Sequence, residues 1–150
     1  MRHMLLLVLA AVLGTSVAAN AATVREVLQQ FGMLGTWATD CSRPPAADNI
    51  LTVYAPLPNG NVQRTYYSAP GKISNQYELQ RADRISEDQI SYEQQGPKDR
   101  IDVILEKKGN RYHVLSSQDQ NGKFFVQDGK FTANTPSPGQ DSTWQTKCYD

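Results

Sequence analysis

The chain has 150 residues, with 15 basic and 15 acidic side chains, and is 39% hydrophobic and 20% charged. That length suits one domain with a modest core, and aromatic residues spread along it exclude a disordered tail. Setting aside Arg2 with the leader described next turns the balanced charge into −1. That argues against a polyanion binder, so no nucleic-acid partner is expected.

Residues 1–21 have the order of parts of a secretory signal. Arg2 gives a positive start, Leu5 to Leu13 form a Leu/Val/Ala core, and Ala19-Asn20-Ala21 satisfies the small-x-small rule for cleavage before Ala22. The apolar run is shorter than the roughly 20 residues a spanning helix needs, and no later segment approaches it. No membrane span is expected, and the protein is placed in the periplasm or outside the cell as a single domain over 22–150. Two cysteines follow, Cys41 and Cys148. In an oxidising compartment the default for such a pair is one disulfide. A catalytic or metal-binding role lacks a C-x-x-C spacing, and only His113 could assist. No metal and no cofactor are expected.

The first element is a short amphipathic helix over Thr23 to Phe31. Val24, Val27, Leu28 and Phe31 recur at helical spacing, and Thr23 with Glu26 makes a capping-box pattern. Strand candidates follow at Thr36 to Asp40, Ile50 to Ala55, Val62 to Ser68, Ile73 to Arg81, Gln89 to Gln94, Arg100 to Lys107, Arg111 to Ser117, Lys123 to Gln127 and Thr143 to Cys148. Asn59-Gly60, Gly109-Asn110, Asn121-Gly122 and Asp128-Gly129 supply hairpin chemistry between them. Alternation in Ile73/Tyr77/Leu79, Ile90/Tyr92 and Ile101/Val103/Leu105 predicts one buried and one wet face. Short spacers predict antiparallel neighbours. The fold class is therefore all-β: a meander of eight or nine strands, led by a short helix. A bridge between Cys41, ending the first strand, and Cys148, in the last, favours closure into a small barrel over a sandwich stapled at its ends.

Gly35-Thr36-Trp37 at the start of the first strand, behind a short helix and ahead of a meander, resembles the Gly-x-Trp motif of lipocalins (calycin-type barrels). The longer stretch Leu34-Gly35-Thr36-Trp37-Ala38-Thr39-Asp40-Cys41 resembles small exported proteobacterial proteins of unassigned function. The lipocalin resemblance implies an eight-stranded barrel whose closed end is plugged by Trp37. The Thr-Asp-Tyr type stretch that lipocalins carry between late strands is missing.

An enzyme is not expected. His113 alternates with Tyr112 and Val114 and so reads as a surface residue on the wet face. Ser116 and Ser117 are too near it in sequence to form a triad, and no Gly-x-Ser-x-Gly elbow occurs. Asp83 and Glu87-Asp88 lie in a turn, where acids are common. Asp119-Gln120-Asn121-Gly122 has the opening of a calcium loop without its later ligands, so it reads as a hairpin turn. The tyrosines carry the stronger signal. Tyr66, Tyr77 and Tyr92 lie on successive strands, with Arg64 on the face of Tyr66 and Asn75 on that of Tyr77. An interior lined by aromatics with a few polar groups would bind a small ligand, while the bland alternative is a filled core. Loops 42–49 and 132–142, rich in proline, could instead carry recognition. Two readings stand: a carrier of a small apolar or amphipathic ligand, and an inhibitor-type module that binds a protein partner in the envelope through its loops.

Overall fold

The structure is a computed structural model that describes residues 21–150, so nearly all of the expected signal lies outside the described residues. The helix α1 (Val24–Phe31) forms where expected. Thr23 Oγ1 accepts from the Glu26 amide, the Glu26 carboxylate accepts from the Thr23 amide, and Gly32 ends the helix at φ +78°. Lys107 Nζ donates to the Phe31 carbonyl and Lys147 Nζ to that of Gly32, at the negative end of the helix dipole.

Ten strands follow: β1 (Gly35–Ala38), β2 (Leu51–Pro56), β3 (Val62–Ala69), β4 (Lys72–Arg84), β5 (Gln89–Gln95), β6 (Arg100–Lys108), β7 (Arg111–Asp119), β8 (Phe124–Gln127), β9 (Lys130–Phe131) and β10 (Gln145–Tyr149). They form one antiparallel sheet in the order β10-β1-β2-β3-β4-β5-β6-β7-β8-β9. Pairing of Gln145 with Tyr112 and Thr146 with Arg111 joins β10 to β7 and closes an eight-stranded barrel. The hairpin of β8 and β9 leaves the ring, pairing with the far half of β7. Asp128 (φ 51°) and Gly129 (φ 74°) are both left-handed there, as an Asp-Gly hairpin turn requires.

First and last strands lie side by side, and Cys41 and Cys148 are disulfide-bonded with 5.4 Å between their Cα atoms. Gly35 (φ +112°) permits the close pairing of β1 with β10, since a Cβ there would stand 2.3 Å from the Tyr149 carbonyl oxygen. No helix among the described residues is long and apolar enough to cross a membrane.

The two ends of the barrel differ. At one end α1 turns Val24, Leu28 and Phe31 inward, and with Met33 they cover the interior beneath Trp37, which is 1% exposed. Trp37 Nε1 donates to the Met33 carbonyl at 2.9 Å, and its ring meets Tyr112 edge to face at 4.8 Å. The opposite end is ringed by the loop from Thr39 to Ile50, the β3–β4 turn and the loop before β10. Asn49, fully buried, fastens the first of these. Its Nδ2 donates to the carbonyls of Asp40, Arg43 and Pro44, and its Oδ1 accepts from the Asp40 amide.

Candidate functional site

Inside the ring, hydrophobic alternation gives way to a polar layer. In β2 the buried residues are Thr52 and Tyr54, while Leu51 and Val53 are only half-buried. In β3, Val62 and Arg64 point inward. Tyr92 and Gln94 of β5, Tyr112 of β7 and Gln145 of β10 complete the layer, all buried.

These groups form one directional chain. Arg64 Nη1 donates to the Tyr92 hydroxyl at 2.6 Å and to Gln94 Oε1 at 3.1 Å. The Tyr54 hydroxyl lies 3.3 Å from that of Tyr92 and donates to that of Tyr112 at 3.4 Å. Tyr112 donates to Gln145 Oε1, and Gln145 Nε2 to the Ile50 carbonyl at 3.0 Å. Since Tyr92 already accepts from Arg64 and Tyr54 spends its proton on Tyr112, Tyr92 donates to Tyr54. Each hydroxyl then gives one hydrogen bond and takes one, which holds the layer in a single arrangement.

The Tyr54 and Tyr92 hydroxyls are held in their neutral form, so they bring no negative charge to Arg64. Burial pushes Tyr92 up to about 12, partly offset by Arg64, and raises Tyr54 and Tyr66 further. Burial works against the charge on Arg64, and the upward coulombic pull of the tyrosines acts only once they ionise; a guanidinium nevertheless stays protonated at neutral pH because its ordinary pKa is so high. Its carbon lies 4.5 Å from the ring centre of Tyr66, 5.3 Å from that of Tyr54 and 5.8 Å from that of Tyr92, a set of cation–π contacts. No carboxylate pairs with it among the described residues.

The tyrosine burial predicts alkaline sensitivity. Unfolded tyrosines ionise near pH 10, whereas Tyr92 holds its proton to about 12. Above pH 10 the unfolded chain binds fewer protons than the folded one, so stability falls as pH rises from about 10 through 12. Urea midpoints across this range should decline, with the share of the tyrosinate absorbance that belongs to the buried Tyr54, Tyr66 and Tyr92 appearing only as the protein unfolds. A flat midpoint would show that these hydroxyls titrate freely in the folded state.

Above the polar layer, at the end away from α1, lies a cavity of about 400 Å³. Its walls combine Ile50, Val114, Phe131 and the rings of Tyr66 and Tyr112 with the polar groups of Arg64, Asn75, Ser142, Thr143 and Gln145. The five residues singled out from the sequence take different places. Tyr66, Asn75 and Arg64 line the cavity, Asn75 as an exposed rim residue and Arg64 as its buried floor. Tyr92 lies beneath Arg64 in the polar layer, outside the lining. Tyr77 also stands outside it, half-buried, with its ring edge on to Tyr66 at 6.1 Å. Tyr54, Tyr112, Gln94 and Gln145 were not expected. In β2 the aliphatic residues Leu51 and Val53 draw attention to the wrong face.

His113 corrects a sequence expectation. It does lie on the outer side of β7, opposite Tyr112, but it is only 8% exposed because the segment before β10 folds over it. Trp144 stacks on its ring at 4.0 Å, Nδ1 lies 2.9 Å from Ser142 Oγ, and Nε2 lies 3.2 Å from Glu106 Oε2. Ser142, His113 and Glu106 thus contain the residue types of a hydrolytic triad. Ser142 Oγ, however, lies 2.6 Å from the Val114 carbonyl, a shorter contact than the one to His113, and its single proton goes there. The cluster fastens the wall of the cavity to β7. The Asp119 turn is a hairpin turn as expected, its carboxylate accepting from the amides of Asn121 and Lys123, each at 2.9 Å. Comparison of the chain with family models, curated proteins and solved structures gave no match.

Proposed function

We propose that the protein is a lipocalin-like carrier that holds one small amphipathic molecule in the mouth of its barrel. The observation that supports this reading most is the cavity: about 400 Å³, within the range of small-molecule sites, with aromatic and aliphatic walls and a few convergent polar groups. The rim is fixed by Asn49 and by the Ser142–His113 contact, so little ordering is left to oppose binding. Export to the periplasm or outside the cell belongs to the same proposal. It is supported by the leader pattern of residues 1–21 and by the Cys41–Cys148 disulfide.

A neutral naphthylamine dye whose fluorescence rises in apolar surroundings is expected to bind saturably with a stoichiometry near one. Ile50→Trp, which fills the cavity from its wall, should weaken that binding about ten-fold or more while the far-ultraviolet circular dichroism stays unchanged. Absence of saturable dye binding would sink the carrier reading. It would leave the partner-binding module, acting through the loops 42–49 and 132–142, as the better account.

A further inference from the structure

The floor of the cavity is a buried guanidinium with donors to spare. Arg64 is 4% exposed, yet it lines the cavity and has no acidic partner among the described residues. Its hydrogen bonds to protein all leave from Nη1. Nε is a buried donor without a partner, and Nη2 makes no hydrogen bond to the protein. Nε and Nη2 are the two donors of one side of the guanidinium plane, set at the spacing that matches the two oxygens of a carboxylate. The tyrosine relay holds Nη1 and so fixes which side stays open.

We propose that the mouth of the barrel binds an amphipathic monocarboxylate, with the carboxylate seated side-on against Nε and Nη2 of Arg64 and the apolar body against Ile50, Val114 and Phe131. The inference rests on the carrier reading and names the class of its ligand. Three observations bear it independently of the cavity's size. A cation removed from water without a counter-ion is costly, and the ring faces of Tyr66, Tyr54 and Tyr92 offset only part of that cost. The neighbouring hydroxyls remain protonated and bring no negative charge to it. Asp48, the one acidic residue among the described residues lining the cavity, is engaged 2.9 Å from Arg43 at the rim. An incoming carboxylate therefore supplies the missing charge and satisfies the orphaned donor in one step. A cationic amphiphile would meet the same buried charge as repulsion.

Calorimetric titration of the full chain with decanoate, decanol and decyltrimethylammonium tests this. Decanoate is expected to bind at least about ten-fold more tightly than decanol, and the ammonium amphiphile more weakly than either. Lowering the pH through the ordinary carboxylic acid range should bring decanoate to the level of decanol, in the wild-type chain alone. Arg64→Gln should remove the preference for decanoate over decanol. Arg64→Lys, which keeps the charge but lacks the paired donors, should retain part of it and guards against loss of folding in the first variant. Equal affinities of decanoate and decanol in the wild-type chain would overturn the proposal while leaving the carrier reading intact. Failure of both to bind, together with failure of the naphthylamine dye, would remove both.

Discussion

Replacing Trp37 by alanine is expected to lower the stability of the domain by about 3–5 kcal/mol, the range for large aromatic side chains removed from a packed interior. Trp37 is 1% exposed, stacks edge to face on Tyr112 and stands between the α1 plug and the polar layer. Its loss opens a void and also leaves the Met33 carbonyl without the indole N–H. Trp37→Phe separates the two contributions, because it keeps most of the ring while losing the donor, and should cost distinctly less than alanine. Urea denaturation measures both. A midpoint for Trp37→Ala close to that of the wild-type chain would show that the plug at the closed end does not depend on the indole.

Removing the disulfide by changing both Cys41 and Cys148 to serine should have an effect of similar size for a different reason. The bridge spans 107 residues, and in the chain-entropy account releasing a loop of that length stabilises the unfolded state by roughly 4–5 kcal/mol. The urea midpoint should fall, and the slope of the transition should rise, because the released unfolded chain exposes more surface. Trp37→Ala acts on the folded state and should leave the slope unchanged. A double-serine variant with an unaltered midpoint would indicate that the β1–β10 and β7–β10 pairings already hold the ring without the bridge.

The architecture was largely legible in the sequence, and the site only in part. Strand positions, turns, the capped helix and the cysteine pairing follow from local chemistry: alternation in β5 and β6, Asp-Gly at 128–129, Thr23 with Glu26. The strand β9 is two residues long and carries no pattern. The closing contact of β7 with β10 rests on two residue pairs between segments more than thirty positions apart, which no periodicity encodes. Arg64 was legible as an inward residue through its parity with Tyr66, but its depth and its lack of a counter-ion depend on what the other strands bring beside it. His113 shows the same limit from the other side. Its parity was right and its exposure wrong, because Trp144 and Ser142 arrive from a segment with no regular pattern to announce where it folds.

The ring closes through β10, which fills the space between β1 and β7. Before β10 is in place, β1 offers one whole unpaired edge and β7 half of one, since β8 and β9 cover only its far half. A chain lacking residues 145–150 would thus carry two open strand edges, each a template for the matching edge of another molecule. The five residues of β10 are in this sense the protein's guard against self-association, and damage there is expected to cause aggregation.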